Sequence, residues 1–182
     1  MAAAALVVHQ PDAHFGYSRG LFGRGWTDVN QNGCDTRDDI LRRDLRNITT
    51  SGSCKVLNGY LRDPYTGASI FFVRGGASEV DIDHVVALSN AWGSGADRWG
   101  VTKRVNLAND PLNLLAVGSS INREKGDANA AEWLPPARAF RCRYVARQVA
   151  VKRKYKLWVT SDERRAMLQV LGGCPKQNLP AR

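Results

Sequence analysis

The 182-residue chain has three histidines, His9, His14 and His84, and only His84 has chemically useful neighbours. It closes the string Asp81-Ile82-Asp83-His84. Two carboxylates beside an imidazole suit a hard cation held next to a proton acceptor. The surrounding run, Val80 to Val86, is β-branched and alternating, which predicts a strand. The period of two puts Asp81 and Asp83 on one face and His84 on the other, unless the strand bends or bulges. Taken alone the string is weakly specific, because a hydrogen-bonded structural histidine is commoner than a catalytic one.

Two asparagines further on could complete such a site. Asn113 lies in the apolar run Pro111-Leu112-Asn113-Leu114-Leu115. An amide there must be hydrogen-bonded to be tolerated. It either caps a strand edge or pins the segment that carries the base. Asn122 opens Asn122-Arg123-Glu124-Lys125-Gly126-Asp127, read as a helix start with Ser119 or Ser120 as cap. An amide oxygen at that position is a reasonable ligand for Mg²⁺, which keeps several waters and takes few protein donors.

The elements around these residues read as a mixed α+β chain. Residues 1–25 have no clear period and are expected to form an irregular arm. Residues 36–46 have helical spacing, with Asp35 or Thr36 as cap and Asp38 and Asp39 in the first turn. Strands are expected over 55–61 and 69–73, around the turn Asp63-Pro64-Tyr65-Thr66-Gly67. A helix over 87–99 would be interrupted at Gly93 and Gly95. A short strand covers 112–117, and the last helices cover 138–156 and 162–171. Trp92, Trp99, Trp133 and Trp158 are read as packing residues, and Pro135-Pro136 as a turn. No repeat or linker divides the chain, so residues 1–182 are taken as one domain.

The formal net charge is +9. A basic surface favours polyanions, nucleic acid foremost, because phosphate binding releases condensed counterions. From Arg138 to Lys156 there are eight basic residues and no acidic one, with Phe140, Tyr144 and Tyr155 interleaved. Such a helix could bind phosphates, Arg147 among its contacts, or simply present a solvated face. No run approaches the roughly 18 apolar residues of a membrane helix, so no membrane partner is expected. Ala2 to Val8 is apolar but short for a signal sequence and has no basic residues before it. The remnant of a clipped leader and an arbitrary start both stay open.

Four cysteines allow three pairings. Cys34–Cys54 and Cys142–Cys174 are preferred, each closing a moderate loop, stabilising by about 3 kcal/mol. Disulfides imply an oxidising compartment, hence a secreted protein. The spacing Asp28-x-Asn30-x-Asn32-Gly33, with Asp39 at the twelfth position, fits a Ca²⁺ loop opening onto the first helix. A turn rich in Asp and Asn that caps the helix explains it equally, and Cys34 inside the loop favours that second reading.

The segments DIDHVVALSNAWGSGA, NDPLNLLAVGSSINREKGD and AEWLPP resemble the HNH nuclease core, the ββα-metal or His-Me finger. Their order and spacing are similar to the HNH domain of RNA-guided CRISPR nucleases and to the nuclease domain of modification-dependent restriction enzymes. The flanks GWTDVNQNGCDTRDDILRRDL, DPYTG and CRYVARQVAVKRKYKLWVTSDE resemble a family of secreted bacterial HNH proteins over about residues 15 to 174. The resemblance implies an α+β fold with a finger core near 69–135, surrounded by helices. It implies His84 as general base, Asn113 as the brace that orients it, and Asp83 and Asn122 as metal ligands. Asp81 would be a neighbouring or alternative ligand. Lys125 and Arg123, one turn into the helix, would contact phosphate. The implied activity is metal-dependent phosphodiester hydrolysis with Mg²⁺ or Mn²⁺. The implied partner is DNA more than RNA, cut by a monomer with little sequence preference. The rival expectation is a non-catalytic module that binds polyanions or cell envelope on the same fold.

Overall fold

A computed structural model describes residues 2–10, 15–77 and 79–181. His14 lies outside them. The chain opens with an arm containing two short 3₁₀ turns, Ala2–Ala5 and Arg19–Phe22. Helix α1, Thr36–Asp44, follows. Its N-terminus is set by Asp35, whose carboxylate accepts from the Asp38 amide. Ile40 and Leu41 turn inward. Leu45 then adopts an extended backbone, and strand β1, Leu45–Ser51, begins at once. The expected helix over 36–46 is therefore two residues shorter. The strand after it went unrecognised, because Arg46-Asn47-Ile48-Thr49-Thr50 does not alternate cleanly. Asn47 has a φ of 50°, and the pairing register slips between Arg46 and Thr49.

Strands β2, Lys55–Arg62, and β3, Ser69–Val73, complete an antiparallel sheet in the order β1-β2-β3. One face packs Val56, Leu61 and Phe72 into a core shared with Ile40, Leu41, Val80, Ile82 and Leu114. The β2–β3 turn is built by Asp63. Its carboxylate accepts from the Tyr65 amide and the Thr66 hydroxyl, and its carbonyl accepts from the Gly67 amide. This turn drives the Tyr65 ring into the interior, edge-on to Trp133 and Tyr144.

Strand β4, Val80–His84, pairs antiparallel with β5, Leu114–Gly118, with Asp83 opposite Leu115 and His84 opposite Leu114. Between them run α2, Leu88–Trp92, and α3, Val101–Ala108. The expected single helix over 87–99 is thus a short helix and a 3₁₀ turn, Ala96–Arg98, broken at Gly93 and Gly95. Gly95 sits at φ 113° against the Trp158 ring, so a side chain there would collide with it. Helix α3 was not foreseen. Helix α4, Ser119–Lys125, follows β5 directly and packs on both β4 and β5.

Helix α5, Arg138–Tyr155, and helix α6, Ser161–Gly172, pack together against the remaining core. Thr160 caps α6 by accepting from the Glu163 amide. Lys152 of α5 is buried and ion-paired with buried Glu163 of α6 at 2.8 Å. Disulfides Cys34–Cys54 and Cys142–Cys174 join the expected cysteines. The first ties the start of α1 to the β1–β2 turn, and the second ties α5 to the chain after α6. The protein is thus an α+β fold with two small sheets, six α-helices among the described residues, and two disulfides.

Candidate active site

His84 ends β4 with its ring almost fully buried. Its Nε2 lies 2.9 Å from the carbonyl oxygen of Ala108, the last residue of α3. A carbonyl can only accept, so Nε2 carries the proton and Nδ1 keeps its lone pair. The Trp26 ring stacks on the imidazole, with centroids 5.9 Å apart and planes 10° apart. Burial, the leading cause, lowers the imidazole pKa to about 4, partly opposed by the Ala108 hydrogen bond. The ring is therefore neutral across the physiological range and able to accept a proton.

Asn113 is fully buried and holds this arrangement from behind. Its Oδ1 accepts from the Val86 amide at 2.8 Å. Its Nδ2 donates to the carbonyls of Val86 and Leu107, at 3.2 and 3.4 Å. One amide thus ties the chain two residues after His84 to the residue before Ala108, so both partners of the Nε2 hydrogen bond are held from one point.

The carboxylates divide their tasks. Asp83 is buried, and each of its oxygens is occupied. Lys125 Nζ donates to one at 2.8 Å, and the Tyr65 hydroxyl donates to the other. Lys125 also donates to the His84 carbonyl at 3.0 Å. Burial and the Asp83 charge raise the Tyr65 pKa well above its ordinary value, so its hydroxyl stays protonated as a donor. Asp81, on the same side of the strand, is only half-buried, and its Oδ2 accepts from Asn122 Nδ2 at 3.2 Å. Asn122 and Lys125, three apart on α4, therefore meet Asp81 and Asp83, two apart on β4.

A cleft of about 430 Å³ opens over these groups. Asp81, Asp83, His84 and Asn122 line it together with Tyr17, Arg19, Trp26, Arg37 and Asp127. The structure brings His84, Asp83, Asp81 and Asn122 to one place and departs from the sequence reading at three residues. Asp83, expected as a metal ligand, has both oxygens taken by Lys125 and Tyr65, and two basic residues are placed differently. Lys125 is not a phosphate contact, because its ammonium is sealed from solvent and held by Asp83 and the His84 carbonyl. Arg147 is not in this cleft either. It donates to the carbonyls of Pro111 and Leu112 and lines a separate groove. Arg123 is exposed on α4, as expected of a phosphate contact.

Arg19, Trp26, Arg37 and Asp127 were missed. Arg19 and Trp26 belong to the arm expected to be irregular, and no local spacing links them to His84. The arm is nonetheless fixed as a strap. Phe22 is buried, Arg104 Nε donates to the Leu21 carbonyl at 3.0 Å, and the Thr27 amide donates to Asn109 Oδ1 at 2.9 Å. Among the described residues the Arg19 guanidinium has no ion pair or hydrogen bond. Arg37 reaches the cleft from α1, and burial, followed by nearby Arg74, lowers its pKa, with Asp81 opposing.

The Asp28 loop closes on itself. Asp28 Oδ2 accepts from the Gly33 amide at 2.8 Å. Asp39 accepts from the Asn30 and Asn32 side-chain amides at 3.0 to 3.3 Å. All four residues of the Ca²⁺ pattern thus converge, with their hydrogen bonds made inside the loop.

Residues 35–170 match the family model of the C-terminal domain of GmrSD restriction endonucleases, and the chain belongs to that family. It is a member of a nuclease family. An uncharacterized secreted protein of Arthroderma benhamiae is 40% identical over 173 residues, covering 94% of this chain and 82% of that protein. That relative is fungal, so the resemblance is not confined to bacterial proteins. No solved structure matches the chain significantly. With two disulfides and a secreted relative, the protein is extracellular. No helix among the described residues is long and apolar enough to cross a membrane.

Two measurements test this reading of the site. Lys125→Met should destabilise the fold by about 3 to 5 kcal/mol in urea denaturation, because it strands Asp83 as a buried unpaired charge. A stability equal to the parent's would place the ammonium in solvent instead. His84 gives a pH signature in metal-free buffer. The unfolded imidazole titrates near 6.5 and the folded one near 4. Its contribution to stability is therefore complete above about pH 6.5 and is lost as pH falls toward 4. Between those values the melting temperature of the parent should drop more steeply than that of His84→Asn.

Proposed function

We infer that the protein is a metal-dependent endonuclease of the HNH type, with β4, β5 and α4 as its ββα-metal finger. The observation that carries this reading is the state of His84. A neutral imidazole, oriented by the Ala108 carbonyl, has a free Nδ1 beside a cleft lined by oxygen donors and guanidinium groups. Membership of a nuclease family supports it.

Among the described residues no group of three or more His, Cys, Asp and Glu side chains is gathered as a metal cage. The donor set that is present fits a lightly held hard cation. Asp81 and Asn122 lie within hydrogen-bond reach of each other and both face the cleft. Mg²⁺ and Mn²⁺ suit such oxygen donors and keep several waters. Asp81 and Asn122 are therefore the residues that would hold the ion, while Asp83 orients the end of β4 through Lys125. When bound, the ion supplies Lewis-acid stabilisation of phosphoryl charge.

The chain's own residues do the rest. His84 Nδ1 accepts the proton of the attacking water, and Asn113 and the Ala108 carbonyl keep the ring aimed. Trp26 covers the imidazole and keeps bulk water off one face. Arg19 and Arg37, which both line the cleft, take the phosphate-binding place expected of Lys125 and Arg147. Hydrolysis leaves a 5′ phosphate. DNA is the favoured substrate, cut by a monomer with little sequence preference, since among the described residues no base-reading element lines the cleft.

Supercoiled plasmid with Mg²⁺ or Mn²⁺ should be nicked by the parent and spared in EDTA. His84→Ala should lose at least about a hundredfold in rate while still binding DNA. A protein that shifts plasmid without cutting it under any divalent ion would instead be the non-catalytic polyanion-binding module. Arg19→Ala should lower kcat/KM roughly tenfold or more at an unchanged melting temperature, and Arg19→Lys should recover part of it. Equal rates for Arg19→Ala and parent would remove Arg19 from the site.

A further inference from the structure

The three-stranded sheet buries one face only. On its open face, Tyr60 of β2 and Phe71 of β3 are directly paired, and their rings lie 4.7 Å apart. Both are about half-exposed, at 49% and 48%. Solvent-facing aromatic pairs of this size lose burial energy unless something covers them. Arg46 of β1 is the cross-strand partner of Tyr60, and Arg62 is two residues along β2, so both arginines flank the rings on the same face.

These two arginines also line a groove of about 550 Å³ between the sheet and α5. Arg43, Arg143 and Arg147 complete its basic lining, against a single acid, Asp44. Arg43 and Arg147 are committed. The first pairs with Asp44 and donates to the carbonyls of Pro111 and Leu114, and the second donates to those of Pro111 and Leu112. Arg46, Arg62 and Arg143 are exposed and, among the described residues, make no ion pair or side-chain hydrogen bond. Arg46 and Arg62 beside two exposed rings tilted at 42°, continued by Arg143 in the groove, form a surface for an anionic strand that carries flat, unpaired bases.

We propose that the open face of β1-β2-β3 and the adjoining arginine groove are an exosite for single-stranded nucleic acid, with Tyr60 and Phe71 stacking bases and Arg46, Arg62 and Arg143 holding phosphates. The groove borders Leu115 and Ala116 of β5, whereas the catalytic cleft is lined by β4 and α4, so the two sites are separate. Duplex DNA hides its base faces and cannot use the rings. A single strand can, and base–aromatic stacking tolerates any sequence. This assignment rests on the nuclease reading for its biological sense, but not for its test.

The test measures binding of a fluorescein-labelled dT₁₂ to the full chain in EDTA, where cleavage does not intervene. Tyr60→Thr/Phe71→Thr keeps strand-forming residues and should weaken binding at least about tenfold. Arg46→Gln/Arg62→Gln/Arg143→Gln should reduce the slope of log K against log salt by about 2, at roughly 0.7 per phosphate contact. Hydrolysis of bis-p-nitrophenyl phosphate, which is too small to reach the groove, should match the parent's in both variants. Unchanged dT₁₂ affinity in both variants would overturn the exosite. Competition by duplex DNA or heparin equal to that by dT₁₂ would overturn the stacking role and leave a general polyanion groove. Failure of the parent to hydrolyse any phosphodiester, with the binding losses intact, would sink the nuclease reading and keep the exosite.

Discussion

A carboxylate removed from water must be paired, and the pairing of Asp83 organises the centre of this protein. Lys125 neutralises it from α4, and Tyr65 hydrogen-bonds it from the β2–β3 turn. Because Lys125 also holds the His84 carbonyl, α4 and the β2–β3 turn are both fixed to the end of β4. A buried ion pair of this kind contributes little net stability against an apolar replacement, but losing one partner is costly. Its structural effect is to hold the backbone of the residue beside it. The imidazole of His84 inherits a defined position from the charge pair on the residue beside it.

A second support acts on the opposite side of the ring. Asn113 ties Val86 to Leu107, and the next residue, Ala108, accepts from Nε2. The His84 imidazole is thus held by its backbone through Lys125 and by its ring through the Ala108 carbonyl. Burial then keeps it neutral, which is the state a proton acceptor needs. The same burial would prevent access were the ring not at the edge of the cleft, where the strap from Tyr17 to Trp26 forms one wall. The strap is irregular in backbone but anchored at Phe22, Leu21 and Thr27.

The basic character of the chain separates into two uses. Lys125, Lys152, Arg141 and Arg147 spend their charge or donors internally, on carboxylates and on carbonyls at helix and strand ends. Arg19, Arg46, Arg62 and Arg143 keep theirs for solvent or a ligand. Net charge therefore overstates the positive surface left open to a ligand. Of the eight basic residues from Arg138 to Lys156, Arg141, Arg147, Lys152 and Lys154 are tied to neighbouring groups, while Arg138, Arg143 and Arg153 of α5 are exposed and uncommitted among the described residues, as are arginines of the strap and the sheet.

What the sequence determined by itself was local. The alternation around Asp81, Asp83 and His84 gave the strand, the apolar run at Asn113 gave its partner, and Ser119 to Lys125 gave the following helix. Cysteine spacing gave both disulfides, and the Asp63 to Gly67 turn was plain from its residue types. These follow from short-range periodicity and turn chemistry. Strand β1 and helix α3 escaped, because neither has a clean period and each is held by its neighbours. Only the tertiary structure decided which charges are spent. A lysine one turn past Asn122 reads as a surface cation until Asp83 is seen beneath it. Nothing near Arg19 or Trp26 in the sequence says that they meet His84. Such pairings arise when distant segments fold together, and desolvation then determines whether a charge is held inside or left for a ligand.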